Sequence, residues 1–299
     1  MKKNKFNLNY ISIVLLISFP GFLVTGPFLS ELSMNLINII FLYKFFKNSK
    51  FEYLKNTFLI YFILFYLYVF LTIIISDHTE KIYLKHIFYF RHIIFVFAVV
   101  DLLKENKNLI FLFYKALVIT IFIVSIDGII QFFFEVNSLG FTKIRPDRLT
   151  GFFDDKMILG SYLARFLPLL IALAFLNLNL KKINDLIFGI LVIVISFIVI
   201  ILSGERMAFF TSFIYLISLL VMLNYKSLVK ILSVFLIILI TSITILVSPT
   251  LFDRYYQQTK DQINFSLSEK NFFNNFKFYK NIYATAFNGY LDSKVFGQG

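Results

Sequence analysis

The residues of this chain best suited to ligand chemistry are its six arginines: Arg91, Arg145, Arg148, Arg165, Arg206 and Arg254. Lysine and arginine together number 29, so lysine is the common cation and arginine the selective one. A guanidinium presents a rigid fork of donors, pairs bidentately with phosphate or carboxylate, and keeps its charge when desolvated. None of the six falls in a segment that the lysines mark as cytoplasmic, so their distribution points to an anionic ligand on the outer face. Two segments concentrate this chemistry. The first is NSLGFTKIRPDRLTGFFDDKMILGSYL, where Lys143, Arg145 and Arg148 precede Gly151, Asp154 and Asp155; Pro146 and Gly151 predict a turned loop. The second is Ser203-Gly204-Glu205-Arg206, a tight turn between apolar runs that leaves a carboxylate and a guanidinium side by side. Glu205 beside Arg206 in so short a turn marks a candidate site. Arg254 follows in LFDRYYQQTK, just after the last apolar run.

A second polar set lies inside apolar segments, where charge is costly and marks function or pairing. Asp127, Gln131 and Glu135 are four apart and form one helical stripe; Ser161 and Arg165 are four apart on the next run. Asp127 and Arg165 each fall about eight residues from an outer end, roughly 12 Å deep at helical rise. One reading is a structural ion pair between Asp127 and Arg165; the other is the floor of an outward cavity with Gln131 beside it. Desolvated charges must first find partners, which favours the pair. Arg91 is placed to snorkel to the interface, and His92 reads as a packing residue. The absence of cysteine excludes disulfides and thiolate chemistry, and three histidines, His78, His86 and His92, form no metal pattern.

These residues must be positioned by helices in a bilayer. The 299 residues are 59% hydrophobic and only 15% charged, where a soluble domain carries about a quarter. Nine stretches are apolar enough to span: residues 10–29, 32–46, 57–76, 86–103, 109–134, 157–176, 186–202, 207–223 and 229–248. Pro20-Gly21 and Gly26-Pro27 predict a kink or early end in the first, and the second is short. The N-terminal MKKNKF segment precedes an apolar run without a small-residue cleavage site, so it reads as a retained span. With that end in the cytoplasm, every inner segment carries at least two lysines, among them Lys2, Lys44, Lys104, Lys181 and Lys226. The net charge of +12 is thereby topological, and nucleic acid is not an expected partner. The expected architecture is all-α: a polytopic helical bundle over 1–248, then an outer segment over 249–299. Phe276, Tyr279, Tyr283, Phe287 and Tyr290 recur there at helical spacing, predicting an amphipathic helix on the bilayer surface. The terminal Val295-Phe296-Gly297-Gln298-Gly299 is a turn signal with nothing after it and reads as a cut rather than a natural end.

From about residue 109 onward the ordered motifs resemble the O-antigen ligase/polymerase family of bacterial envelope polysaccharide enzymes. IDGIIQFFF, RPDRLTGFFDDKMILGSYLARFLPLL, ILSGERMAFFTSF, the Arg254 segment and FGQG carry the resemblance. It implies transfer of a glycan from a polyprenyl-diphosphate donor to a glycan or lipid A-core acceptor at the periplasmic face of the bacterial inner membrane. It implies no cofactor and no metal, with Arg206 and Arg254 on the donor diphosphate and Arg148 and Gly151 in the loop motif. The family's catalytic histidine is expected beyond Gly299. Asp154-Asp155-Lys156 stands where the family commonly has His-Pro-Asn. The alternative is a non-enzymatic transporter or flippase for lipid-linked glycans; a long outer segment and the absence of an internal repeat favour the enzyme.

Overall fold

The computed structural model describes residues 8–49, 51–75, 88–177, 183–222, 226–263, 277–292 and 294. Among the described residues the architecture is helical. The helices are α1 (Leu8–Thr25), α2 (Pro27–Lys47), α3 (Thr57–Ile75), α4 (Arg91–Glu105), α5 (Leu109–Phe134) and α6 (Leu159–Asn177). They continue with α7 (Ile183–Leu202), α8 (Arg206–Met222), α9 (Ser227–Val247), α10 (Pro249–Phe252), α11 (Gln258–Ile263) and α12 (Lys277–Asp292). Five are long and apolar enough to cross a membrane: α1, α2, α5, α6 through Leu176, and α9 from Lys230. Shorter apolar stretches lie in α3, α7 and α8. The apolar window of α9 is 0% buried inside the protein, and α3 likewise exposes Phe58, Tyr61, Leu64 and Phe65. Water would not tolerate such surfaces; lipid covers them without cost, and the chain reads as a membrane protein.

The helix boundaries show the early end expected of the first run and lengthen the second. Residues 10–29 are not one helix: α1 stops at Thr25, Gly26 adopts φ 118°, and Pro27 opens α2. Proline suits the first helical position because its missing N–H has no helical partner there anyway. The second run gains those residues and becomes a 21-residue helix, longer than its 32–46 reading. The amphipathic tail appears as α12, with Tyr283, Phe287 and Tyr290 exposed. Phe276, the terminal 295–299 turn, His78, His86 and lysines 2, 3, 5, 50, 181 and 182 lie outside the described residues.

The chain divides into two compact units. One comprises Met1–Leu16, Ser30–Leu109 and Gln262–Gly299; the other comprises Ile17–Leu29 and Ile110–Asp261. In the first, Lys44 Nζ meets Asp101 Oδ2 at 3.0 Å and Glu105 Oε2 at 2.8 Å. The Tyr53 hydroxyl donates to Asp101 Oδ1 at 3.0 Å, and burial, then the Asp101 contact, pushes that hydroxyl's pKa up. The same unit engages Arg91, whose guanidinium takes both Glu31 oxygens at 2.9 and 3.0 Å. His92 packs against Tyr89 at 5.4 Å between ring centroids.

The second unit holds the larger apolar core. Leu117, Ile121 and Val124 of α5, Leu159, Leu163, Leu167 and Leu170 of α6, and Val192, Val199 and Ile200 of α7 are buried together. In α5 and α6 the spacing of three and four residues puts each set on one helix face, and α7 joins them in one buried cluster that fixes the helix ends around the α5–α6 connection.

Candidate functional site

Those ends carry the polar chemistry of the second unit. The 24-residue connection between α5 and α6, residues 135–158, begins where Glu135 takes φ 63° and turns the chain off the helix. Asn137 then organises the return. Its Oδ1 accepts from the Leu139 and Phe141 amides at 3.0 and 2.8 Å, and its Nδ2 donates to Gly151 O at 2.9 Å. The connection folds down onto the polar stripe of α5. Asp127, 2% exposed, accepts from Asn137 Nδ2 at 3.3 Å, from the Ser138 amide at 2.9 Å and from the Ser138 hydroxyl. Gln131, 0% exposed, accepts the Thr150 and Gly151 amides at 2.9 and 2.8 Å. Its Nε2 donates to Thr150 Oγ1 at 3.0 Å and Phe141 O at 3.3 Å.

This geometry corrects two expectations. Asp127 and Arg165 do not pair: the loop satisfies Asp127, while Arg165 is exposed on α6. Nor does the stripe floor an open cavity, since both Asp127 and Gln131 are sealed beneath the loop. Hydrogen-bond donors also stabilise a buried carboxylate, and here three donors come from ten and eleven residues downstream. Gly151, at φ 54°, is the residue that lets the loop lie this close: a side chain there would meet Leu159 at 3.3 Å and Asp127 Oδ2 at 3.4 Å.

Glu205 is corrected in the same way. Its Oε1 accepts the Gly160 amide at 2.8 Å and its Oε2 the Ser161 amide at 3.1 Å, with the Ser161 hydroxyl on the same oxygen. It therefore caps the N-terminus of α6, where a carboxylate satisfies orphan amides and complements the helix dipole. Both oxygens are committed, so Glu205 is a structural residue and not a ligand contact.

The arginines converge on the turn that follows. Gly204, at φ 69°, is pressed against two residues of the loop: a Cβ there would lie 2.1 Å from Asp147 O and 3.3 Å from Arg148 Cδ. Arg145-Pro146-Asp147-Arg148 is a turn closed by Arg148 N to Arg145 O at 3.2 Å, with proline at its favoured second position. Leu149 N donates to Ser203 O at 3.3 Å and ties the two turns together. From the other side comes the segment after α9, where Asp253–Gln257 forms a π-helical turn, a feature frequent at functional sites. Tyr255 pins it, with its hydroxyl on Ile201 O at 3.0 Å and its ring against Phe209 at 5.5 Å.

Arg254 is 8% exposed. Its Nε donates to Gly204 O at 3.3 Å and its Nη1 to Gln258 Oε1 at 2.7 Å, with Asp147 Oδ2 at 3.4 Å. Arg206 Nη1 donates to Thr259 Oγ1 at 3.0 Å. Arg148 Nη2 donates to Met157 O at 2.9 Å, while its Nε is buried with no partner among the described residues. Arg145 pairs with Asp147 through Nε at 3.2 Å and Nη2 at 3.4 Å. Burial lowers the Arg254 pKa, and the nearby charges of Arg206, Arg148 and Arg145 lower it further against the opposing pull of Asp147. An arginine remains cationic under such pressure. Four guanidinium groups from three segments thus share one neighbourhood, with Glu205 spent elsewhere and Asp147 as the carboxylate among them.

Of the expected ligand residues, Arg148, Arg206 and Arg254 are brought together and Gly151 shapes the loop. Arg145 joins the cluster, although spacing alone assigned it no role. Asp147, Asn137, Gln258 and Thr259 were missed; the alternation of Arg145, Asp147 and Arg148 around Pro146 was the one available signal. Asp154 sits exposed at φ 54°. Among the described residues no group of three or more histidines and carboxylates could hold a metal ion. A cluster of this kind suits a multiply charged anion, because charge-assisted bonds from several guanidiniums relieve their mutual repulsion. Comparisons with protein-family models, with curated proteins and with solved structures return no match.

Proposed function

We propose that the arginine cluster binds the diphosphate of a polyprenyl-linked glycan donor and that the protein transfers this glycan to a sugar hydroxyl, as an O-antigen-type polysaccharide ligase or polymerase. The observation that carries the proposal is the convergence of Arg145, Arg148, Arg206 and Arg254 on the Ser203–Arg206 turn, at the ends of apolar helices. In the proposed topology nine spans cross the bacterial inner membrane, the N-terminus is cytoplasmic, and the cluster faces the periplasm beside the headgroup layer. The lysine distribution supports this orientation. A donor anchored by its lipid tail would present its diphosphate at that level.

The chemistry asked of the cluster is stabilisation of a leaving group. When the glycosyl C–O bond breaks, its electron pair goes to the phosphate oxygen, and preorganised cations lower the cost of the developing charge. Of the five N–H donors of Arg206, Thr259 takes one among the described residues, and a fork of this kind can bridge two phosphate oxygens. Arg148 Nε, buried without an acceptor, lacks the kind of partner that a phosphate oxygen supplies. The acceptor's identity, glycan or lipid A-core, separates ligase from polymerase and lies with other parts of the site.

Arg206→Lys tests the proposal in the full-length protein assayed in membranes. Lysine keeps the charge and loses the bidentate geometry, so transfer is expected to fall at least about tenfold, the scale of one lost charge-assisted bond, with the protein still present and folded. Undiminished transfer would overturn the diphosphate contact. Donor binding and movement without any transfer would favour a flippase.

A further inference from the structure

The cluster contains a carboxylate set among its cations. Asp147 lies between two of the arginines, 3.2 and 3.4 Å from Arg145 and 3.4 Å from Arg254. These contacts are long for charge-assisted hydrogen bonds, which run about 2.7–2.9 Å, so neither guanidinium is saturated by it. Arg254 has two other anchors, Gln258 Oε1 at 2.7 Å and Gly204 O at 3.3 Å. The turn that carries Asp147 is held by its backbone, through Arg148 N to Arg145 O, Leu149 N to Ser203 O, and the packing of Asp147 O against Gly204. The backbone bonds of the turn and the Gln258 and Gly204 anchors of Arg254 are made without the carboxylate. What the charge does is subtract from the field of the four arginines, and it is largely buried, at 11% side-chain exposure, where screening by water is weak.

A glycosyl transfer gives that subtraction a use. In the donor the diphosphate is esterified at both ends. When the sugar leaves, the C–O bond to phosphate breaks and a new C–O bond forms to the acceptor oxygen. The acceptor hydroxyl's proton passes to solvent, and the polyprenyl diphosphate keeps the electron pair and one additional negative charge. A purely cationic site would hold this product more tightly than the substrate, because the product carries the extra negative charge, and would be inhibited by it. We propose that Asp147 is a release-tuning residue, a fixed counter-charge that weakens the cluster's grip on the diphosphate product; this rests on the diphosphate reading above.

Asp147→Asn removes the charge and preserves the shape. Inorganic pyrophosphate and orthophosphate would be titrated into the purified full-length protein in detergent, for the wild type, Asp147→Asn, Asp147→Glu and Arg206→Lys. One opposite charge within about 4–6 Å is worth a factor of ten or more in the equilibrium it touches. Asp147→Asn is therefore expected to bind pyrophosphate about tenfold tighter, with a smaller gain for orthophosphate, and Asp147→Glu is expected to stay close to the wild type. In turnover, Asp147→Asn would show stronger inhibition by added polyprenyl diphosphate. A merely structural Asp147 would give the opposite sign, with weaker binding in both variants, and that result, or unchanged affinity in Asp147→Asn, overturns the inference. If the wild type does not bind pyrophosphate, or binds it equally well as Arg206→Lys, the diphosphate reading itself fails whatever Asp147 does.

Discussion

Gly204→Ala is expected to destabilise the protein by about 2–5 kcal/mol, combining a left-handed backbone penalty of about 1–2 kcal/mol with overpacking of about 1–3 kcal/mol. It is also expected to disperse the arginine cluster. The clash partner is what makes the effect large. A methyl group at this position would lie 2.1 Å from Asp147 O, a backbone atom that cannot rotate away. Relief therefore requires the Arg145–Arg148 turn to lift from the Ser203–Arg206 turn, breaking Leu149 N to Ser203 O and carrying Arg145 and Arg148 away from Arg254. Thermal unfolding in detergent, followed by the helical circular dichroism signal, and pyrophosphate titration would show both losses. A variant with wild-type stability and affinity would show that the two turns are not clamped as described.

Gln131→Ala is the second large effect. It removes the acceptor for the Thr150 and Gly151 amides and the donor to Phe141 O and Thr150 Oγ1. Each buried backbone donor left unpaired costs about 1–3 kcal/mol, so the loss for the two amides is about 2–6 kcal/mol. Gln131→Glu is expected to fall between, because its oxygens still accept the two amides while its donors are gone and a charge is buried. The loop rather than the bundle should respond first: limited proteolysis would cut between 137 and 150 in Gln131→Ala at protease levels that spare the wild type. Cleavage restricted to other segments would contradict the anchoring role.

These residues show how far a sequence can be read. The apolar runs announced nearly every helix, because lipid-facing and core-facing positions alike must be apolar, and length then sets the element. Helical spacing also placed Asp127 and Gln131 on one face of α5. Spacing says which residues share a face and not what they face. The partners of Asp127 turned out to be Asn137 and Ser138 in a loop that doubles back, and the expected partner Arg165 on the next helix stayed exposed. Glu205 was misread for a similar reason. Its sequence neighbour is Arg206, but its side chain reaches the amides of Gly160 and Ser161, 45 and 44 residues earlier. Two adjacent residues in a tight turn can serve opposite sides of it, and only the packing of α6 decides which.

The arginines were legible as a class because topology uses lysine and leaves arginine conspicuous. Arg148, Arg206 and Arg254 were singled out through the family resemblance, and the structure adds why they meet: Gly204 touches the loop while its carbonyl accepts from Arg254. Asp147 could not be weighed from the sequence. A carboxylate flanked by arginines in sequence is ordinary; one suspended between Arg145 and an Arg254 more than a hundred residues later is not.

The most direct test of the central proposal is equilibrium binding of a lipid diphosphate to the arginine cluster. Farnesyl diphosphate would be titrated into the purified full-length protein, in parallel for the wild type and for the Arg206→Lys, Arg254→Lys double variant. Saturable binding is predicted for the wild type, weakened at least about a hundredfold in the double variant, since each lost bidentate contact is worth roughly a factor of ten. Wild-type binding should also weaken with rising salt, as screening requires. No saturable binding by the wild type, or equal binding by both proteins, would contradict the proposal.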